Sequence, residues 1–169
     1  MGRGYGCTCS KCGYHIECNF GVGFLFPKIY AETIEKAKKG EFGIKYQSFF
    51  LENKDAALDC ENVMLQCKDC GQYDEGMDLS AYMKKPEYRI KKAGIWSVSF
   101  PFEGATYVSE PELKEGYIKK MNFPHTCKKC NGAMRIISGE EFKLFLDNQE
   151  ITCPKCKIPL ELTDIISWD

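Results

Sequence analysis

The sequence predicts a small α+β protein with two metal-binding modules, each built from short antiparallel strands with a helix in the connection. Three observations support this prediction. The chain has 169 residues and 11 cysteines, and eight of the cysteines form four C-x-x-C pairs. Segments beside the pairs have the length and composition of strands, and stretches between the pairs carry helix start and stop signals. A hydrophobic content of 44% allows a modest core.

The first twenty residues are rich in glycine and cysteine, and they contain the first pair, Cys9 and Cys12. Gly13 follows directly and suits a knuckle, a tight turn in which backbone amides point at the metal-binding sulfur atoms. Gly21 and Gly23 lie next, but the third glycine of a phosphate-binding loop is missing. We therefore interpret this segment as a turn that leads into an apolar stretch.

Two helices are predicted in the segment that follows. Residues 28–39 have Pro27 at their start, Gly40 just past their end and three lysines in the last turn, where the helix dipole favours positive charge. Residues 44–52 form a second, short helix that contributes Phe49, Phe50 and Leu51 to the core. Both assignments rest on local signals.

The second C-x-x-C pair is predicted to lie in a turn between two strands. Residues 58–66 form the strand that leads into Cys67 and Cys70, and residues 77–83 form the return strand. The basic, proline-containing residues 84–92 are interpreted as a linker. Residues 95–100 alternate strictly between apolar and serine side chains, which predicts a half-buried strand. The acidic residues 109–115 are expected to form a surface loop.

The C-terminal part repeats the plan of strand, knuckle and helix. Residues 117–126 are predicted to form a strand that leads into Cys127 and Cys130, and a capping box at residues 138–141 starts a helix. Strands at residues 151–153 and 160–166 flank Cys153 and Cys156. The predicted organisation is an N-terminal module over residues 1–83, a connection over residues 84–115 and a C-terminal module over residues 116–169.

Paired cysteines at this spacing are typical of four-thiolate zinc sites, because two residues between them let both sulfurs reach one ion. We expect two Zn²⁺ ions, and iron in the same geometry is the alternative metal. Sequential pairing is predicted, so the first and second pairs share one ion and the third and fourth pairs share the other. The predicted ligands are Cys9, Cys12, Cys67 and Cys70 for one ion, and Cys127, Cys130, Cys153 and Cys156 for the other.

The remaining cysteines and both histidines are expected to lie outside the ligand sets. They are Cys7, Cys18, Cys60, His15 and His125. In the alternative, Cys7 competes with Cys9 for the ion, or His15 or Cys18 replaces one of the ligands. A thiol–disulfide role for the C-x-x-C pairs remains an alternative. It would need a helix N-terminus behind one pair to lower a thiol pKa, and no βαβ pattern surrounds any pair.

Charge and composition narrow the classes of partner. No apolar signal segment and no apolar run of about 18–20 residues is present, so we expect a cytoplasmic protein without membrane contact. The formal charge is −1, and two zinc-loaded four-thiolate sites would bring it to about −5. A general nucleic-acid binder is usually basic.

The knuckles resemble zinc-ribbon and rubredoxin-like domains. Cys9-Ser-Lys-Cys12-Gly, the apolar stretch up to Pro27, the lysine-rich helix and Cys67-Lys-Asp-Cys70-Gly are similar to small bacterial zinc-ribbon proteins. The resemblance covers about the first 80 residues and implies a structural metal without an assigned activity. The later knuckles depart from it, because Asn131 and Lys157 stand where a glycine often follows the second cysteine.

These observations favour a non-catalytic binding or adaptor protein whose partner is another protein. The second hypothesis is an RNA-binding zinc-ribbon protein that uses knuckle lysines and nearby aromatic rings. The third is a redox or metal-dependent enzyme. The knuckle lysines of the RNA-binding hypothesis are Lys11, Lys68, Lys128, Lys129, Lys155 and Lys157. The aromatic residues that could stack on bases, among them Phe20 and Phe26, sit in apolar runs typical of a core or a protein contact.

Overall fold

The structure is a computed structural model that describes residues 2–23, 25–88 and 107–168. These residues form a small α+β fold with four helices and three antiparallel sheets, as predicted. The helices are α1 (Phe26–Lys39), α2 (Ile44–Glu52), α3 (Glu110–Gly116) and α4 (Gly139–Asp147). The strands are β1 (Gly2–Thr8), β2 (His15–Phe20), β3 (Ala56–Leu58), β4 (Asn62–Cys67), β5 (Tyr73–Met77), β6 (Ala81–Lys84), β7 (Tyr117–Met121), β8 (Met134–Ile137) and β9 (Glu161–Trp168).

The chain divides into two compact units, and each is assembled from segments that are separated in sequence. The ribbon unit comprises residues 1–24, 61–78 and 124–169, and the helical unit comprises residues 25–60 and 79–123. These divisions do not coincide with the boundaries predicted after residues 83 and 115. The difference arises because strands pair with partners far along the chain rather than with their sequence neighbours.

The ribbon unit contains two three-stranded antiparallel sheets with the same connectivity. In the outer ribbon, β1 lies between β2 and β9, and in the inner ribbon, β4 lies between β5 and β8. Each ribbon therefore combines one hairpin with one strand from much later in the chain. The outer ribbon encloses the inner ribbon in sequence order.

The predicted strands over residues 58–66 and 77–83 are each divided in two. The first becomes β3 and β4, and the second becomes β5 and β6. Leu79 has a φ of 59°, a left-handed conformation that cannot continue a strand. Its amide donates to the carbonyl of Asp59 at 2.8 Å, and the amide of Asp59 donates to Ser80 at 2.9 Å. These hydrogen bonds hold the break in place.

The acidic segment predicted as a loop is instead the helix α3. The Ser109 amide donates to the carboxylate of Glu112 at 2.9 Å, which forms a capping box at the helix start. Pro111 lies in the first turn, where a missing amide hydrogen has little cost. The strand predicted at residues 95–100 lies outside the described residues.

The other helices agree with their sequence signals. α1 begins at Phe26, slightly earlier than predicted, and ends before Gly40, whose φ of 85° provides the left-handed cap. α2 has the predicted bounds, but Leu51, predicted to lie in the core, is 61% exposed. α4 begins after Ser138, whose hydroxyl accepts from the amide of Glu141 at 3.2 Å. In the described residues, no helix is long and apolar enough to cross a bilayer.

The core of the ribbon unit joins both ribbons. Phe142 of α4 is fully buried, and its ring centroid lies 5.5 Å from that of Tyr5 and 5.2 Å from that of Phe20. Tyr73 and Met64 of the inner ribbon belong to the same cluster of buried side chains. Packing around α4 therefore ties the two ribbons to one core.

The helical unit has its own core. Tyr30 of α1 and Tyr46 and Phe50 of α2 are buried. Tyr46 also donates its hydroxyl hydrogen to the carbonyl of Leu79 at 2.8 Å. None of the C-x-x-C pairs lies in this unit.

Candidate metal centres

The structure collects the eight paired cysteines into two groups of four. The outer site comprises Cys9, Cys12, Cys153 and Cys156, and the inner site comprises Cys67, Cys70, Cys127 and Cys130. Within each group the four Sγ atoms all lie within 4.8 Å of one another. Each group could hold one metal ion.

The sequential pairing predicted from the sequence is wrong. β1 pairs with β9, which brings the first C-x-x-C pair to the last. β4 pairs with β8, which brings the second pair to the third. Strand pairing, rather than proximity in sequence, therefore decides which cysteines share a site.

All four pairs lie in knuckles with the same backbone hydrogen bonds. The amide of each first cysteine donates to the carbonyl five residues later, at 2.8–2.9 Å. The amide of the residue after each second cysteine donates back to the carbonyl of the first cysteine, at 2.9–3.1 Å. These closed turns fix both sulfurs of a pair on the same side of the backbone.

The residue after each second cysteine adopts a left-handed conformation. The φ angles are 68° at Gly13, 72° at Gly71, 59° at Asn131 and 61° at Lys157. Asn131 and Lys157 thus take the backbone conformation that glycine takes in the first two knuckles. The side chains at these two positions therefore raise the free-energy cost of the turn, but the backbone geometry of the turn is the same.

Sulfur–sulfur distances agree with tetrahedral coordination. Cys12 and Cys153 are 3.7 Å apart, Cys70 and Cys127 are 3.8 Å apart, and Cys67 and Cys130 are 3.4 Å apart. Four sulfurs at roughly 2.3 Å from a central ion would be separated by about 3.8 Å. A disulfide would need about 2.05 Å, and all eleven cysteines are free.

Backbone amides favour the thiolate form of one cysteine in each site. The amide of Cys70 donates to the Sγ of Cys67 at 3.5 Å and lowers the pKa of Cys67 to about 6. Burial raises the pKa of Cys153, but the amides of Cys156 and Lys155 and the neighbouring thiols of Cys12 and Cys9 donate to its sulfur, and together they lower the pKa to about 7. A divalent cation would displace the remaining thiol protons and balance the clustered negative charge.

Both candidate sites consist only of cysteines. In the described part of the chain, no histidine or carboxylate joins either group. His15 contacts the Thr8 hydroxyl at 2.9 Å, and His125 contacts the Asp78 carbonyl at 2.9 Å. Neither histidine belongs to a four-cysteine group in the described part of the chain.

The three remaining cysteines are buried and belong to neither group. The Cys18 thiol donates to the carbonyl of Tyr5 at 3.4 Å, and burial strongly raises the pKa of Cys18. Burial also raises the pKa of Cys7 to about 11. Neutral, buried thiols of this kind behave as small apolar side chains.

Contacts between knuckles link the outer and inner sites, which sequence reasoning did not foresee. The Gln72 side chain donates to the Tyr14 hydroxyl at 2.9 Å. A Cβ atom added at Gly71 would lie 3.7 Å from the Lys157 amine and 3.9 Å from Pro154. Both observations place a knuckle of one site beside a knuckle of the other. No sequence signal identifies them, because they depend on how the two ribbons pack.

The knuckle lysines are exposed on the ribbon unit. Lys128 forms an ion pair with Asp74 at 2.7 Å, and the Lys155 amine lies 5.7 Å from the centroid of the Tyr14 ring. Phe20 and Phe26, which might have stacked on bases, are buried. The lysines therefore surround the thiolate sites, and neither of these two aromatic rings is exposed for stacking on a base.

Comparison with known proteins adds no relative. The chain matches no protein-family model, and neither curated proteins nor solved structures give a significant match. The likeness to zinc ribbons therefore rests on the knuckles and on the two four-cysteine groups.

Proposed function

We propose that this chain is a non-catalytic adaptor protein in which two zinc ions hold the ribbon unit together and its surface binds another protein. The observation that carries the proposal is the repeated knuckle, which appears four times with the same hydrogen bonds. Two knuckles then face each other in each four-cysteine group. Closed tetrahedral thiolate sites of this kind serve structure, because they leave no coordination position for substrate.

The free energy of zinc binding supports a structural role for the two ions. The ribbons are short, and the sulfurs lie in the turns of the four knuckles. Binding of a structural zinc ion typically supplies about 10 kcal/mol or more of folding free energy. We expect this energy to close the ends of both ribbons around their ions.

Redox catalysis has less support. A reactive C-x-x-C pair usually gains its low thiol pKa from a helix N-terminus. The four pairs lie in β-type knuckles, and none of them begins one of the described helices.

Free thiols at zinc-ligand spacing also suit a reducing compartment, which supports a cytoplasmic location.

The test is the metal content of the purified chain and of two cysteine variants. We expect two zinc ions per chain in the native protein and one in Cys130→Ser, since three thiolates bind zinc far more weakly than four. Cys18→Ala is the matched control, because it removes a buried thiol from the same unit but outside both sites. It should retain two ions.

Elemental analysis with visible absorption distinguishes the alternatives. Iron in the sites would appear as bound iron with the strong colour of ferric thiolates. One ion or none in the native chain would contradict the proposal. Full metal content in Cys130→Ser, with an unchanged melting temperature, would contradict it equally.

RNA binding is the second candidate, favoured by the exposed lysines that the knuckles of both sites carry on one unit. However, each loaded site carries about −2, so nearby lysines first compensate their own thiolates. Each lysine–phosphate contact should add a salt slope of roughly −0.7 to −0.9. We expect no appreciable binding to mixed-sequence RNA at physiological salt, and a fluorescence titration with tight, salt-sensitive binding would favour this second candidate.

A further inference from the structure

The two edges of the outer ribbon differ in how their backbone groups are used. At the β2 edge, Gly21 and Asn62 exchange two backbone hydrogen bonds at 3.2 and 3.0 Å, and the Asn19 amide donates to Glu75 at 2.8 Å. At the other edge, β9 pairs only with β1 among the described residues. Its outward amides and carbonyls are available for a further strand.

The side chains of β9 are exposed along the whole of residues 161–167. Leu162, Ile165 and Ile166 are 42%, 64% and 47% exposed. Leu162 lies opposite the buried Cys7, and Ile165 lies opposite the buried Tyr5. The face of the sheet that carries the buried Tyr5 and Cys7 therefore continues onto β9, where its apolar side chains are exposed in the described structure.

β9 also lacks the residues that usually protect an edge strand. Lysine and proline discourage pairing with other chains, and β9 contains neither. β7, an edge strand of the sheet in the helical unit, has the exposed residues Lys119 and Lys120. A single register shift beside Leu162 interrupts the β9 ladder, and residues 164–168 pair regularly beyond it.

The charge of β9 itself is negative, and the exposed Arg3 of β1 lies opposite Ser167, near the end of the strand away from Glu161 and Asp164. Glu161 and Asp164 are exposed, and β9 carries no basic residue. Glu17 of β2 lies opposite Gly6, which in turn lies opposite Asp164, so a third carboxylate is close in register. An acidic edge with exposed aliphatic side chains is complementary to a strand that alternates apolar and basic residues.

We propose that β9 binds an extended segment of a partner protein, which alternates basic and apolar residues and adds a fourth strand to the outer ribbon. Backbone hydrogen bonds would supply affinity, and the aliphatic and acidic side chains of β9 would supply selectivity. A second copy of the chain fits less well, because two β9 strands would bring the carboxylates of Glu161 and Asp164 together without a base. The proposal rests on the adaptor function and is independent of the identity of the metal.

The test uses the full, metal-loaded chain and three fluorescein-labelled decapeptides. One alternates valine and lysine, one alternates valine and glutamate, and the third is the valine–lysine peptide with N-methylated amides along one edge. We expect the valine–lysine peptide to bind at least about tenfold more tightly than either of the others. Hydrogen exchange should slow at the β9 amides when it binds.

Variants identify the surface. The double variants Ile165→Thr/Ile166→Thr and Glu161→Gln/Asp164→Asn should each weaken binding about fivefold, with threonine keeping a high strand propensity. Only the second should also reduce the salt dependence. Leu144→Thr is the control, because Leu144 is an exposed aliphatic residue of α4, outside the sheet, and this variant should bind like the native chain.

Three results would overturn the proposal. They are equal affinity for the lysine and glutamate peptides, binding unaffected by both double variants, and a dimer whose β9 amides are already protected without peptide. Metal content is measured on the same samples. Failure of peptide binding with two ions bound rejects this surface alone, whereas missing metal rejects the structural-zinc proposal.

Discussion

At the scale of single residues, each knuckle depends on one left-handed position after its second cysteine. Glycine occupies this position in the knuckles of Cys12 and Cys70, and asparagine or lysine occupies it in the other two. A left-handed backbone costs a residue with a side chain roughly 1–2 kcal/mol, and asparagine pays less than most. Lys157 therefore holds the most strained of the four positions.

Gly13→Ala should lower the free energy of unfolding by about 1 kcal/mol. An added Cβ at Gly13 would have no neighbour within 4 Å, so the loss would come from the backbone alone. Urea unfolding of the zinc-loaded protein, at fixed free zinc, measures this difference.

Lys157→Gly provides the reverse test at an equivalent position. It should raise the free energy of unfolding by about 0.5 kcal/mol, because relief of strain exceeds the added flexibility of the unfolded chain. Equal stability of Gly13→Ala and the native chain would show that the left-handed turn is not required.

At the scale of secondary-structure elements, local signals were sufficient for the helices α2 and α4. The capping box of Ser138 and Glu141 marks the start of α4 without information from the rest of the chain. α3 has the same signal in Ser109 and Glu112, and it was missed because the proline and acidic residues favoured a loop.

The strand β1 could not be predicted from its own residues. Glycine at positions 2, 4 and 6 is unfavourable in isolated strands. In the sheet, a Cβ at Gly4 would lie 2.6 Å from the Asn19 side chain and 3.5 Å from Ile166, so the neighbouring strands use the space that glycine leaves. The need for glycine arises from β2 and β9. The same long-range pairing decides which cysteines meet, so the eight paired cysteines could be named as candidates from the sequence but their grouping into two candidate sites could not.

The helix α4 should contribute much of the stability of the ribbon unit through Phe142. Phe142→Ala removes a fully buried ring that packs between Tyr5 and Phe20. We expect a loss of about 3–5 kcal/mol in the free energy of unfolding. Leu144→Ala on the exposed face of the same helix should change it by less than about 0.5 kcal/mol.

Chemical denaturation of both variants measures the difference. Similar changes in the two variants would contradict a contribution through packing, because alanine has a higher helix propensity than either residue it replaces.

At the scale of the ribbon unit, the two candidate sites share one core and touch through their knuckles. Buried side chains of the outer and inner ribbons form a single cluster, and Gln72 bonds Tyr14 across the two sites. Loss of one ion should therefore lower the affinity of the other site for its ion. Coupling of this kind is reciprocal, because each site must affect the affinity of the other by the same factor.

Cys130→Ser should weaken zinc binding at the remaining outer site by about tenfold, and Cys12→Ser should weaken the inner site to the same extent. Competition with a chelator of known affinity measures both. Cys18→Ala should leave both affinities nearly unchanged, because it removes no ligand. Unchanged affinity of the outer site in Cys130→Ser would show that the two sites load independently.

The inner ribbon is completed much earlier along the chain than the outer one. Cys67 and Cys130 are separated by 63 positions, whereas Cys12 and Cys153 are separated by 141. The entropy of closing the longer loop differs by only about 0.7 kcal/mol, so the delay during translation matters more than the equilibrium cost. A ribosome adds about 5–20 residues per second. Cys9 and Cys12 therefore wait the longest as bare thiols on the nascent chain, open to oxidants and to competing metals until their partners emerge.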